Sequence, residues 1–508
     1  MRQHFRETLP LLLALSLAGC GSSPQARFAR AEEAYARHEY TAARLELSAV
    51  VQKQPKDAAA LELLARTYLE LGDGESAKSA LQKLGQLGKQ PPDAQVLLGE
   101  AEFMNGRFEA AIAAVAKEKS APALRVRALA SLGRNDPGTA AQAFAEGEKA
   151  GGDRSRLLAD YAHFELAKGN LTAARRLAAL AAQQKPASLA SYLASADVAA
   201  ADSQLGRALA HFDAALRDFP QSRAALLGKI RVLDALGRTG EIRPLVTAAL
   251  ADDANDPTLI YLDARLDALA GQWQKVRDKL QPREQALKAQ PDGNILYAHA
   301  LLELGQPELA RARLSSQVLR TPDNRQARLL LGRSKLALGD TMGAADTLRP
   351  LAGAADANSE ELGLLARALK EAGDPQASSV ATKARQAAGQ ALLGRLATAD
   401  KAIRAKDWPT AIRSYEEVLK QTDGSNVLVL NNLAFAYDQT GNPEKALGFA
   451  ERALKLAPDN ASVMDTTGWL LHRSGKDRKR ALGLLRAAAG KAPGNAAIAA
   501  HLSQAAGS

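Results

Sequence analysis

Basic side chains recur in this sequence at a constant spacing of 34 residues. Steps of 34 from residue 163 reach, in order, His163, Asp197, Arg231, Arg265, His299, Arg333 and Arg367. Guanidinium groups bind carboxylates and phosphates through two parallel hydrogen bonds. We therefore take Arg231, Arg265, His299, Arg333 and Arg367 as candidate binding residues for an acidic polysaccharide or an acidic peptide segment. The alternative is a solvated helix position, which is often arginine in a basic protein.

Other residue patterns that support catalysis or cofactor binding are missing from the sequence. Among the seven histidines, no two have the spacing of four residues that places a metal pair on one helix. There is no glycine loop followed by Lys-Ser/Thr and no nucleophile-elbow serine. The acidic run Asp252–Pro257 lacks the glycine and the final glutamate of a calcium loop and indicates a polar turn. We predict no catalytic, cofactor-binding or metal-binding residues, and a protein that is not an enzyme.

Cys20 is the only cysteine of the 508 residues, and it lies where an apolar segment ends. Arg2 and Arg6 precede an apolar stretch over residues 9–18, which is typical of a secretory signal peptide. This stretch is too short to span a bilayer, for which about 20 apolar residues are needed. The sequence therefore predicts export, either as an ordinary secreted protein with a chance cysteine or with a use for the thiol.

The run Leu17-Ala18-Gly19-Cys20 resembles the bacterial lipobox at all four positions. This resemblance implies that residues 1–19 are a lipoprotein signal peptide, that Cys20 carries the lipid, and that residues 20–26 form a short linker. Two or more acyl chains hold a protein stably at a membrane. The residue after the cysteine is Gly21 and not aspartate. In similar lipoproteins, the absence of aspartate at this position accompanies delivery to the outer membrane, facing the periplasm.

A small or apolar residue also recurs every 34 residues over most of the chain. Its members are Ala43, Ala77 and Ala111, then Ala174, Ala208, Ile242, Val276, Ala310, Ala344 and Ser378, then Ala411, Ala446 and Ala481. Glycines precede many of them by five residues, and prolines follow many of them by twelve. Glycine favours the left-handed turn after a helix, and proline cannot continue a helix. This pattern predicts about fourteen helix pairs.

The clearest copy, Leu430–Asn460, resembles the tetratricopeptide (TPR) repeat at Leu433, Ala434, Tyr437 and Gly441, and further at Ala446, Ala450, Ala453 and Pro458. The resemblance implies an all-α fold of TPR helix-turn-helix repeats stacked in a right-handed superhelical solenoid, whose groove is lined by the first helices. Aromatic residues at one repeat position, Tyr40, Phe108, Trp273 and Trp408, are expected to be core residues.

Breaks in the repeat spacing suggest how the chain is divided. After the linker we expect N-terminal TPR repeats over 27–115, a degenerate repeat or joint over 116–153, a central array over 154–386 and a C-terminal array over 387–508. The net charge is +10, a modest excess that does not by itself indicate nucleic acid.

The last 80 residues resemble the TPR-repeat lipoproteins of PEP-CTERM/exosortase systems, notably at residues 431–434 and 465–469. The resemblance implies a scaffold lipoprotein that mediates protein–protein interactions in the bacterial envelope, in exopolysaccharide production or export or in PEP-CTERM protein sorting. Its expected partners are envelope proteins of an export or polysaccharide-secretion assembly, with membrane contact through the lipid and no nucleic acid. Two alternatives stay open: groove binding of an anionic polysaccharide or acidic peptide, and an accessory role in outer-membrane assembly or secretion.

Overall fold

The computed structural model describes residues 23–287 and 290–507, and it contains helices and turns with no strand in these ranges. The first helices of the chain are α1 (Pro24–Ala36), α2 (Tyr40–Lys53), α3 (Ala58–Glu70), α4 (Gly74–Gln86), α5 (Ala94–Met104), α6 (Phe108–Ala114), α7 (Ala121–Gly133), α8 (Pro137–Lys149), α9 (Ser155–Ala167), α10 (Leu171–Gln183), α11 (Leu189–Ala201), α12 (Leu205–Asp218) and α13 (Arg223–Ala235).

The remaining helices are α14 (Thr239–Asp252), α15 (Pro257–Leu269), α16 (Trp273–Leu280), a 3-10 turn (Gln281–Arg283), α17 (Glu284–Leu287), α18 (Pro291–Glu303), α19 (Pro307–Arg320), α20 (Arg325–Ala337), α21 (Thr341–Ala352), α22 (Ser359–Glu371), α23 (Ala377–Arg404), α24 (Trp408–Gln421), α25 (Val427–Gln439), α26 (Pro443–Leu456), α27 (Ala461–Arg473), α28 (Arg478–Lys491) and α29 (Ala496–Gly507). They follow one another as pairs of a first and a second helix, so the all-α repeat architecture is confirmed.

Local sequence signals explain where these helices begin and end. Asp57 caps α3, because its side chain accepts a hydrogen bond from the Ala60 backbone N–H at 3.0 Å. The predicted turn glycines all have positive φ, from 65° at Gly475 to 79° at Gly169. Where the glycine is missing, His38 and Lys406 adopt the same left-handed conformation, with φ of 61° and 58°. The turn geometry is therefore constant while its residue varies.

The recurring small residue is buried in nearly every repeat. Eleven of its thirteen members have no exposed surface at all, and Ile242 is 2% exposed. The eleven are Ala43, Ala77, Ala111, Ala174, Ala208, Val276, Ala310, Ala344, Ala411, Ala446 and Ala481. The exception is Ser378, which is exposed and lies in α23, a single helix of 28 residues. The first half of α23 pairs with α22 and its second half with α24, which accounts for the shift in spacing there.

The four aromatic residues that we expected in the core are only half-buried. Each is the first residue of a second helix: Tyr40 of α2, Phe108 of α6, Trp273 of α16 and Trp408 of α24. At a helix start, a large side chain lies across the turn and against the neighbouring first helix, so one face stays in contact with solvent. Phe108 and Trp273 nevertheless pack against buried core clusters, so this position contributes to the core from its edge.

The described residues form two compact units, one ending at Val232 and the other starting at Leu233. In the first unit, residues far apart in sequence meet: the His38 and Phe219 rings stack with centroids 4.1 Å apart. In the second unit, Arg413 Nη1 donates to the Ala235 carbonyl at 3.2 Å. Each unit therefore brings together segments that are separated by about 180 residues.

The expected divisions of the chain stay a prediction, but several local features can be described. Residues 116–153 contain α7 and α8, which pack on each other like the other pairs. The expected boundary between residues 386 and 387 falls inside α23. Helix α1 already begins at Pro24, inside the expected linker over 20–26. At the C-terminal end of the described residues, α29 packs on α27 and α28.

Candidate functional site

The candidate binding residues occupy one equivalent place in their repeats. Arg231, Arg265, His299, Arg333 and Arg367 are each the ninth residue of a first helix, in α13, α15, α18, α20 and α22 respectively. Arg231 lies in the first unit and the other four in the second unit. Contacts between α15, α18, α20 and α22 bring these four residues into one row, which we call the basic row. The sequence spacing predicted this arrangement.

Every arginine of the set has a carboxylate partner. Arg231 Nη2 lies 3.0 Å from an Asp197 oxygen, and Arg265 Nη2 lies 2.8 Å from Asp234. These partners come from the preceding first helix, so the pairs link neighbouring repeats.

Further along the row, Arg333 Nη2 lies 2.7 Å from a Glu303 oxygen, and this pair also links two neighbouring repeats. Arg367 Nε binds Glu371 at 2.7 Å, one turn later on the same helix. Exposed pairs of this kind contribute little stability, about 0–1 kcal/mol each. They do balance the charge, so the row carries acids as well as bases.

His299 is the most enclosed member of the row. Burial lowers the pKa of His299, the nearby Glu303 carboxylate raises it, and the Arg333 guanidinium lowers it again, with a net downward shift. The indole of Trp273 lies against the imidazole, with ring centroids 4.6 Å apart. His299 is therefore a packed and mainly neutral side chain at pH 7, and it adds little positive charge to the row.

The 34-residue spacing did not reveal the acidic partners, because most of them stand elsewhere in the repeat. Asp234 is the twelfth residue of α13, and Glu303 and Glu371 are the thirteenth residues of α18 and α22. Residues three or four apart share a helix face. A search for acidic residues three or four positions after the ninth residue of each first helix would therefore have found them. Whether the row binds a ligand stays a prediction.

A cleft in the first unit was not anticipated from the sequence. Its volume is about 700 Å³, within the range of ligand sites, and Tyr40, Glu70, Arg125, Arg156 and Phe219 are among its lining residues. Burial and then the Glu70 carboxylate raise the pKa of Tyr40. The cleft is lined by both apolar and charged side chains.

Ion pairs join the charged residues that line this cleft. Arg156 pairs with Glu70, although the two residues are 86 positions apart. Arg125 Nη1 donates to Glu100 at 2.9 Å, and its Nε donates to Asp160 at 2.5 Å. Burial lowers the pKa of Arg125, but the two carboxylates outweigh it and raise the pKa overall. The two arginines that line the cleft are therefore paired with carboxylates.

Near the C-terminal end, the ninth residue of the first helix is aromatic instead of basic. It is Phe435 in α25 and Trp469 in α27. Phe435 is 43% exposed, and the ring of Trp408 meets it edge-on with centroids 5.7 Å apart. The sequence analysis followed the basic residues and did not extend the same position to this end of the chain.

Other features of the predicted site fall outside these contacts. Cys20 and the expected signal peptide lie outside the described residues. Within the described ranges, histidine and acidic side chains form no group that could hold a metal ion. No helix there combines the length and apolar character needed to cross a membrane.

Comparison with protein families accounts for the repeat geometry. Models of the tetratricopeptide repeat match residues 34–95, 193–257, 295–360 and 427–460. The chain carries tetratricopeptide repeats. The matched segments lie in both units, and TPR pairs of this kind form scaffolds that bind other proteins. Comparison with curated proteins gives no significant match.

Solved structures similar to this TPR chain have low identity to it. The APC/C hetero-tetramer Cut9-Hcn1 aligns over 95% of this chain and 96% of its own, at 15% identity and a TM-score of 0.38. The P58(IPK) TPR domain aligns over 95% and 97%, at 14% identity and a TM-score of 0.23. Naa15/Naa10 bound to HypK-THB aligns over 95% and 96%, at 14% identity and a TM-score of 0.24.

Proposed function

We propose that this protein is a non-enzymatic TPR scaffold, attached to the bacterial envelope by a lipid on Cys20, that holds protein partners of an export or exopolysaccharide-secretion assembly. The observation that carries the scaffold role is the charge balance of the basic row. Each arginine at the ninth position is paired with a carboxylate, so the exposed surface suits the mixed polar surface of a protein better than a polyanion.

The envelope location rests on the sequence. The lipobox-like run ends at Cys20, and α1 begins at Pro24 with Ser23 as its cap, where the Ser23 hydroxyl accepts from the Ala26 N–H at 3.1 Å. Only three residues thus separate the acylated cysteine from the first helix. A lipid on Cys20 would hold the repeats close to the bilayer surface, within reach of other membrane-bound components.

The role in PEP-CTERM sorting or exopolysaccharide export is the finer part of the proposal. It is supported by the resemblance of residues 431–434 and 465–469 to TPR lipoproteins of exosortase systems. Both segments lie in the first helices α25 and α27, where Leu433, Ala434, Asp465 and Thr467 are buried. An accessory role in outer-membrane assembly has the same architecture with a different partner.

Crosslinking in envelope membranes tests the scaffold role. We expect the wild-type lipoprotein to crosslink to other envelope proteins, and Cys20→Ser to lose the membrane fraction and most crosslinks together. Unchanged membrane attachment of Cys20→Ser would contradict the lipid anchor.

Binding of acidic polysaccharide tests the alternative. The quadruple variant Arg231/Arg265/Arg333/Arg367→Ala is compared with the wild type, using alginate as the probe. A matched control replaces the partner acids, Asp197/Asp234/Glu303/Glu371→Ala, which leaves the arginines unpaired. We expect no binding to the wild type and weak binding to the acid-free control. Tight binding to the wild type that the arginine substitutions abolish would establish the polysaccharide binder instead.

A further inference from the structure

Helix α23 joins two parts of the second unit in an unusual way. Its first half packs on α22 as a second helix, and its second half packs on α24 as a first helix. Elsewhere in the array a turn separates these two roles, and successive first helices pack on each other, as α20 does on α22. The described residues show no extended packing of α22 on α24. The repeats before and after α23 are therefore connected mainly through this one helix.

The two halves of α23 belong to different hydrophobic cores. Ala377 and Val380 pack against the buried cluster of α20, α21 and α22. Leu392 and Leu396 pack against the cluster formed by α24 and the helices after it. Residues 381–391 contribute to neither cluster, and none of them is buried. We call residues 381–391 the bridge.

The helical state of the bridge receives little support from its own side chains. An isolated helix shorter than about 12–15 residues is marginal in water, and the bridge is shorter than that. Its charged residues, Lys383 and Arg385, are both basic, so no ion pair can form along the helix. Gly389 lies inside the bridge, and Gly394 follows five residues later. Because glycine is a poor helix former, the bridge region is the weakest part of α23.

Packing does not require glycine at either of these positions. A side chain at Gly389 or Gly394 would extend into open space, with no neighbouring heavy atom within 4 Å of its Cβ. By contrast, a Cβ at Gly332 in α20 would lie only 2.6 Å from Leu348. The two glycines of α23 therefore weaken the helix without allowing a closer contact.

A single weak contact connects the same two parts of the second unit elsewhere. Arg413 of α24 donates to the Ala235 carbonyl at the end of α13, 178 positions away in the sequence. The next turn leaves room for the guanidinium, since a Cβ at Gly237 would lie 2.8 Å from Arg413 Nη1. This hydrogen bond is exposed, and an exposed hydrogen bond contributes little net stability. Thermal motion can therefore break and remake this contact.

We propose that the bridge is a hinge and that the hydrogen bond from Arg413 to Ala235 is its latch. The helices from α24 to α29 then move as one body between the closed arrangement of the structure and an open arrangement in which Arg413 has left Ala235. Each of these helices packs on the next, which supports their motion as one body. Hinges are short segments that absorb large changes of backbone angle while the packed elements on both sides stay intact. The inference goes beyond the proposed function and needs neither the lipid nor a partner.

Distances between spin labels test the hinge in the full chain. Cys20→Ser removes the only cysteine, so that pairs of exposed residues can be replaced by labelled cysteines. The pair Lys370/Lys420 spans the bridge, whereas Arg311/Lys370 and Lys420/Lys479 each lie on one side of it. We expect the distance distribution of the spanning pair to be about twofold wider than those of the two control pairs.

Substitution of the glycines locates the motion. Gly389→Ala combined with Gly394→Ala strengthens the helix, so the distribution of the spanning pair should narrow to the width of the control pairs. Amide hydrogen exchange of residues 381–391 should slow by about tenfold. The matched control is Gly448→Ala combined with Gly483→Ala, two exposed helix positions outside the bridge that also have open space around them. We expect this control to leave the spanning distribution unchanged.

Removal of the latch should act in the opposite direction. Arg413→Ala should increase the fraction of molecules whose Lys370/Lys420 distance differs from that of the closed arrangement. An unchanged distribution in this variant would contradict the latch.

Further outcomes would overturn the hinge itself. A spanning distribution as narrow as those of the controls, or exchange in the bridge as slow as at the buried Ala399 and Ala402, would mean that α23 is rigid. Equal broadening of the Lys420/Lys479 pair would show local unfolding of the C-terminal repeats instead of motion as one body. Equal narrowing by the control glycine substitutions would place the motion outside the bridge.

Discussion

The two units are built from the same repeat, yet they join their distant segments differently. In the first unit, the stacked rings of His38 and Phe219 and the pair of Arg156 with Glu70 connect residues from widely separated helices around a cleft of about 700 Å³. In the second unit, the corresponding long-range contact is the hydrogen bond from Arg413 to the Ala235 carbonyl at 3.2 Å.

This difference shows that nearest-neighbour packing does not determine every property of a repeat array. Repeat proteins are stable approximately as the sum of their repeats and of the interfaces between neighbours. Contacts between repeats that are far apart add a term that depends on a few side chains. The first unit has aromatic and ionic side chains at those places, so we expect its repeats to unfold together.

The largest expected effect is on the cooperative unfolding of the first unit. Phe144→Ala removes a fully buried ring that stacks on Tyr161 with centroids 5.2 Å apart, and it should cost about 4 kcal/mol of the free energy of unfolding. All three tryptophans, Trp273, Trp408 and Trp469, lie in the second unit. Urea unfolding followed by circular dichroism should therefore begin earlier, while the tryptophan transition keeps its midpoint.

Tyr415→Ala is the matched substitution in the second unit, because Tyr415 is also a large and nearly fully buried side chain. We expect it to lower the urea midpoint of the tryptophan transition. It should leave unchanged the part of the circular dichroism signal that reports unfolding of the first unit, which we call the early circular dichroism phase. Equal shifts of both signals by either substitution would mean that the two units unfold as one.

The second prediction concerns the ring stack of the first unit. His38→Asn keeps a residue that tolerates the positive φ of 61° and removes the imidazole from Phe219. An aromatic pair contributes about 0.5–1.5 kcal/mol. The free energy of unfolding of the first unit, measured by circular dichroism, should therefore fall by about 1 kcal/mol. Lys406→Asn is the control, since it places asparagine at the equivalent turn of the second unit, and it should leave that free energy unchanged.

The sequence predicted the repeat features because they depend on local rules. Ala43 and Ala446 are buried where their spacing placed them, and Gly441 turns with positive φ because glycine has no side chain to oppose it. The spacing also placed the basic row on equivalent helix positions. These predictions needed only the geometry of one repeat and its neighbour.

The sequence did not reveal what depends on residues in several repeats at once. The contact of His38 with Phe219 follows from small rotations accumulated over many repeats, which no local pattern encodes. The fusion of two helices into α23 was visible only as a shift of one residue in the spacing. The partners of the arginines were missed for a similar reason, because Asp234 and Glu303 stand at other positions of the repeat.

The third prediction is a pH dependence with a separate sensor in each unit. Burial and the Arg207 charge lower the pKa of His211 in the first unit, and burial is the main cause that lowers the pKa of His299 in the second. A histidine with a lowered pKa in the folded state takes up fewer protons than it does in the unfolded chain. Stability should therefore fall as the pH drops below about 6.5, the ordinary histidine value.

Substitution of each histidine distinguishes the two sensors. His211→Gln should reduce the loss of stability between pH 7.5 and 5.5 in the early circular dichroism phase, and His299→Gln should reduce it in the tryptophan transition. Carboxylates with lowered pKa, such as Glu148 and Glu102, titrate below this window and do not interfere. A wild-type protein that is equally stable at both pH values would contradict the prediction.

The smallest expected effect is on the long-range contact of the second unit. Arg413→Ala removes the hydrogen bond to the Ala235 carbonyl. A single hydrogen bond contributes about 0.5–1.5 kcal/mol, and an exposed one lies at the lower end. The free energy of unfolding from the tryptophan transition should therefore fall by about 0.5 kcal/mol. Arg367→Ala is the control, since its pair with Glu371 lies within one helix. It should change helix stability slightly and leave the distance between residues 235 and 413 unaltered.

Spin labels at Arg238 and Glu417 measure that distance in both variants. A larger separation in Arg413→Ala alone would show that one hydrogen bond holds these segments together. An unchanged separation would mean that packing between neighbouring repeats by itself sets the distance between these segments of the second unit. The first unit, with its ring stack, would then depend on long-range contacts in a way that the second unit does not.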